Sequence, residues 1–86
     1  MAKKTIYAKE YRELVAALRR IRQELGLTQV DLAQSLGWPQ QRLSAVESGS
    51  RRLDVMEYFI LADKLSLSPE RALALIVELR PKSRGR

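Results

Sequence analysis

The chain contains no cysteine and no histidine. The first absence excludes disulfides, thiol chemistry and cysteine-ligated zinc. The second removes the usual general base and the commonest metal ligand. The longest apolar run, Ala72 to Val77, is six residues, far below the roughly 20 needed to span a bilayer. Lys3 and Lys4 stand where the basic start of a secretion signal would, but Thr5 to Glu13 supply no apolar stretch behind them. Glycine and proline are scarce, at four and three residues, and no glycine-rich phosphate loop is present. The only catalytic-type acids are Asp and Glu dispersed over separate segments, so the chain reads as a non-enzyme with no cofactor and no metal. No pocket for a small-molecule ligand is evident in the pattern.

What is present fits one small domain. Eighty-six residues allow one hydrophobic core and no second module. Apolar residues make up 45% and charged residues 30%, a globular balance. Sixteen Lys and Arg against ten Asp and Glu give a formal charge of +6. That excess favours a polyanion, either nucleic acid or an acidic membrane surface, although a solvated basic face would give the same count.

The spacing predicts five helices and no strand. Tyr11, Leu14, Val15, Leu18, Ile21 and Leu25 share one face of a helix over about 8–25, closed by Gly26. Thr28 can cap a short helix to Leu36, with Asp31 three residues on as its capping acid. Gly37 ends it. A third helix opens at Pro39, as its first helical residue with Trp38 as a poor cap, and runs to about Glu47. Asp54 and Glu57 form a capping pair for a fourth helix to about Leu65, with Val55, Tyr58, Phe59, Ala62 and Leu65 inward. Ser68-Pro69-Glu70 opens the fifth, which ends near Leu79 before Pro81. Short links force neighbouring helices to pack locally, so an all-α fold follows. The domain is bounded as residues 8–79. A basic N-terminal arm (1–7) and a basic C-terminal tail (80–86) are expected to be flexible.

The stretch Leu27 to Gly49 carries the functional information. Two short helices flank Gly37-Trp38, with the small Ala33 permitting close crossing and Gly37 a left-handed turn. The third helix presents Gln40, Gln41, Arg42, Ser44 and Ala45 around a core contact of Leu43 and Val46. A glutamine amide offers donor and acceptor together, as adenine N6 and N7 require, and Ser44 and Ala45 are small enough to enter a major groove. Acids are absent from Trp38 to Val46, as a helix near phosphates requires.

These residues resemble the lambda-repressor-like (Cro/XRE) helix-turn-helix family. Leu27-Thr28-Gln29, Leu32-Ala33, Leu36-Gly37, Glu47-x-Gly49 and Ala62-x-x-Leu65-x-Leu67-Ser68-Pro69 carry the resemblance, over about Leu18 to Ile76. It departs where Pro39 replaces the usual Ser or Thr cap and Trp38 a smaller apolar residue. The resemblance implies a compact five-helix DNA-binding domain and sequence-specific binding of double-stranded DNA by a transcriptional regulator, most simply a repressor. It further implies that Gln29 bonds a phosphate and braces Gln40. Gln40 would read a base edge, and Gln41, Ser44 and Ala45 would face bases farther along. Arg22 and Glu47 would form a structural ion pair. Thr28, Arg42, Arg51 and Arg52 are the expected phosphate contacts. Trp38 is expected to pack over the turn.

Two features lie outside the motif. Leu73 and Val77 fall on a second apolar face of the fifth helix, beside the stripe of Ala72, Leu75, Ile76 and Leu79. An exposed apolar pair marks an interface, so a homodimer reading a near-palindromic operator is expected. Lys3 and Lys4 could form a minor-groove arm or none, and the tail arginines could add non-specific affinity or only solubility. The expected location is cytoplasmic, on the nucleoid of a prokaryote or in a phage-encoded protein, with no membrane partner. Two other functions remain open: an antitoxin that also binds a toxin protein, and a protein-interaction module that binds no DNA.

Overall fold

The computed structural model describes residues 8–80, so the arm at 1–7 and the tail beyond Arg80 lie outside the described residues. Five helices follow in order: α1 (Ala8–Glu24), α2 (Gln29–Leu36), α3 (Gln40–Ser48), α4 (Val55–Lys64) and α5 (Pro69–Leu79). No strand occurs among the described residues. α1 packs against α3 and α5, α2 against α3 and α4, and α4 against α5. The all-α class read from the sequence is the class observed.

Local chemistry explains the boundaries. Thr28 caps α2: its hydroxyl accepts from the Asp31 N–H at 3.0 Å, and the Asp31 carboxylate accepts from the Thr28 N–H at 3.1 Å. Asp54 and Glu57 make the same reciprocal pair at α4. Each box satisfies two amides that a helix start leaves without partners. Gly37, at φ 72°, turns the chain left-handedly out of α2, a conformation that costs a side-chain-bearing residue about 1–2 kcal/mol. Ser66 adopts the same region at φ 64° between α4 and α5, although nothing in its sequence marks it for that role.

Eleven buried apolar residues make one core, with Leu43 and Ala72 sealed completely and Leu32, Val46 and Ala62 nearly so. All five helices contribute to it. Three expectations need correction. The α3 cap is Pro39, in extended conformation and with no side-chain hydrogen bond; the helix starts one residue later than read, because the fixed proline φ suits the cap as well as the first turn. Trp38 is half-buried against the core, as expected for packing. Val55 and Leu25, expected inward, are exposed, since Val55 sits on the first turn of α4 and Leu25 lies just past the end of α1, where the apolar stripe overruns the core.

Tyr58 joins α4 to α5. Its hydroxyl donates to the Ala72 carbonyl at 2.7 Å from within the core, and its ring meets Phe59 edge-on at 5.3 Å. Burial pushes the phenol above its ordinary 10.0. The folded state thus holds the Tyr58 proton more tightly than the unfolded chain, so this contribution is complete below pH 10 and declines as pH rises through the raised value. Urea melts at increasing pH should show the wild type losing stability above pH 10 more steeply than Tyr58→Phe, which itself should cost about 1 kcal/mol at neutral pH for the lost hydrogen bond.

Candidate nucleic-acid interface

α1 and α3 are tied by one ion pair. The Arg22 Nε and Nη2 donate to Glu47 Oε2 and Oε1 at 2.7 and 3.1 Å, while Nη1 donates to the Leu27 carbonyl at 2.7 Å. The side chains are only 8% and 6% exposed. A bidentate geometry with a further carbonyl acceptor meets the conditions under which such charges tolerate burial. The third member of the set is the α1–α2 loop, whose backbone at Leu27 is fixed by the same guanidinium.

The pair extends into a relay of amides. Glu47 Oε1 also accepts from the Gln29 Nε2 at 2.9 Å, and Gln29 Oε1 accepts from the Gln40 Nε2 at 3.3 Å. The polarity is dictated by charge. A carboxylate only accepts, so Gln29 must turn its nitrogen toward Glu47 and its oxygen outward. Gln40 must then offer a nitrogen to Gln29. One N–H and the carbonyl oxygen of Gln40 have no partner among the described residues, a donor and an acceptor side by side on an exposed residue. The bracing of Gln40 by Gln29 and the Arg22–Glu47 pair, both implied by the family resemblance, are present in this geometry.

Gln40, Gln41 and Ser44 are exposed along α3, and Ala45 is half-buried at the end of the same edge. Beside it lies a polar recess of about 210 Å³ lined by Arg19, Gln29, Ser44, Glu47 and Ser48. Arg19 went unrecognised in the sequence. It sits one turn before Arg22, so helical spacing from the ion-paired residue was the signal that places it beside α3. Thr28 is exposed at the head of α2. Its backbone amide, and secondarily its hydroxyl, hold Asp31 below the usual carboxylate range. Arg51 and Arg52 are exposed on the loop after α3.

Arg42 is set apart from the other expected phosphate contacts. Its guanidinium lies 4.0 Å over the Trp38 ring and pairs with Glu57. The charge is therefore turned toward α4, where it joins α3 to the capping box of the next helix. Sequence spacing placed Arg42 on the presented helix correctly but carried no sign of the acid 15 residues on that draws it inward.

No helix among the described residues is long and apolar enough to cross a membrane, and none of their Asp and Glu side chains cluster into a metal site. Residues 18–71, more than half of the chain, match a family model described as helix-turn-helix, of the Cro/C1 type. The chain belongs to this helix-turn-helix family, whose fold is the lambda-repressor-like all-α domain. It is a family of DNA-binding transcription regulators, not of enzymes. Among curated proteins, none matches the chain.

The buried pair gives a quantitative test. Glu47→Gln leaves Arg22 buried without its counter-charge and should cost about 3–5 kcal/mol in chemical denaturation. The double change Arg22→Met with Glu47→Leu should recover most of that loss, since apolar replacements of buried pairs are often neutral.

Proposed function

We propose that the chain is a sequence-specific repressor that reads the major groove of double-stranded DNA with the exposed edge of α3. The observation that carries this reading is the braced amide of Gln40, held with one donor and one acceptor facing out. That pairing matches the N7 and N6 groups of adenine, and a good bidentate contact discriminates against a wrong base by about 1–3 kcal/mol. Gln41 and Ser44 face bases farther along, with Ala45 at the rim. Thr28 and Gln29 at the head of α2, and Arg51 and Arg52 after α3, contact phosphates and set the register. Arg19 joins this set from α1. Arg42 acts through Trp38 and Glu57, holding α3 at its angle, in place of the phosphate role its position suggested.

The reading includes a two-fold dimer on a near-palindromic operator. It is supported by the exposure of Leu73 and Val77, at 54% and 45%, with Ile76 beside them at 37%. Such a protein works where the chromosome lies, in the cytoplasm of a prokaryotic host.

Selection of bound sites from random duplexes tests the proposal. Wild-type protein should enrich two half-sites about one helical turn, roughly 34 Å, apart. Gln40→Ala should relax one position in each half, and Leu73→Glu or Val77→Glu should yield monomers in ultracentrifugation that no longer favour paired half-sites. Absence of enrichment would refute base reading, and an unchanged site with Gln40→Ala would refute the role of that amide.

A further inference from the structure

The loop joining α3 to α4 carries Arg51 and Arg52 without regular secondary structure, yet it is tied down from a distant part of the chain. The Tyr11 hydroxyl, on the first turns of α1, donates to the Arg51 carbonyl at 2.8 Å and accepts from the Leu53 N–H at 3.0 Å. These bonds cross 40 and 42 residues of sequence. One phenol thus satisfies a carbonyl and an amide on either side of Arg52. The Arg52 guanidinium lies 5.1 Å above the Tyr11 ring, within the range of a cation–π contact. The next residue of α1 closes the start of the same loop. A Cβ at Gly49 would come within 2.9 Å of the Arg12 side chain, at a φ of 85° that already favours glycine. The Arg51 Nη2 lies 3.9 Å from Glu57, and its side chain remains half exposed.

These contacts leave two exposed guanidinium groups on a backbone whose position is set by α1. An arginine that binds a phosphate loses less freedom when its backbone is already ordered. We propose that Tyr11 is the positioning residue for the phosphate-binding loop: it sets the affinity for duplex DNA of any sequence through Arg51 and Arg52, without touching DNA itself. The inference rests on the DNA-binding reading above. It assigns a role to a residue outside the 18–71 family match, on an element that carries none of the base-reading side chains.

Phosphate contact is independent of sequence, so a mixed-sequence duplex serves as the probe. Its affinity for the full chain is measured against salt concentration, where each phosphate contact contributes a slope of about −0.9. Tyr11→Phe keeps the ring under Arg52 and removes both hydrogen bonds. It should bind more weakly, with a slope shallower by roughly 0.9 for each contact released. In a background of Arg51→Ala with Arg52→Ala, Tyr11→Phe should change nothing further, as a double-mutant cycle requires of residues acting as one unit. A folded Tyr11→Phe protein with the wild-type slope overturns the proposal, as does an equal loss in the arginine-free background. Amide exchange in the unsubstituted protein gives the same test without a variant: Leu53 should be protected, and exchange at the rate of an open loop overturns the clamp. If the wild type binds no duplex at any salt, the DNA-binding reading has failed instead.

Discussion

The bidentate contact between Arg22 and Glu47 is the constraint on which the rest of the molecule depends. It fastens α1 to α3, fixes the loop at Leu27 through a third hydrogen bond, and hands its charge to Gln29. A carboxylate shielded from water has strong demands, because an unmet acceptor there is expensive. Those demands set which way the Gln29 amide faces, and through it the Gln40 amide. A buried electrostatic requirement is in this way carried to an exposed edge, where it sets the order of donor and acceptor.

A second charged network holds the other side of α3. Arg42 lies between the Trp38 ring and Glu57, and Glu57 also closes the capping box of α4. α3 itself lacks a side-chain cap, and it carries few apolar residues beyond Leu43 and Val46 to anchor it. Its placement therefore comes from both flanks: Glu47 from α1 and α2, Arg42 from α4. Such a helix can leave its remaining face bare of structural duties. That freedom accounts for a surface made of amides and small side chains in place of the Glu–Lys pairs of an ordinary exposed helix.

Much of this was legible before any coordinates. The five helices followed from apolar periodicity and from Thr28, Asp54 and Ser68 as caps. The Arg22–Glu47 pair and the bracing of Gln40 followed from resemblance. What escaped was tertiary in origin. Arg42 was expected to face phosphates because only its position on α3 could be read, and the acid that captures it lies on another helix. Tyr11 looked like one more residue of an apolar stripe, since periodicity records the ring and is blind to its hydroxyl. The left-handed Ser66 carried no glycine to announce it. Val55 satisfied the helical spacing but sits on a first turn that overruns the core. Where a residue's role is set by chain 15 to 42 residues away, local pattern has no access to it.

The most direct measurement is nuclear magnetic resonance of the glutamine side-chain amides during titration with a selected duplex. The Gln40 signals, identified by their loss in a Gln40 variant, should shift strongly and become protected from solvent. Gln40 and Gln41 signals that remain unmoved as the duplex saturates would contradict an α3 edge that reads DNA.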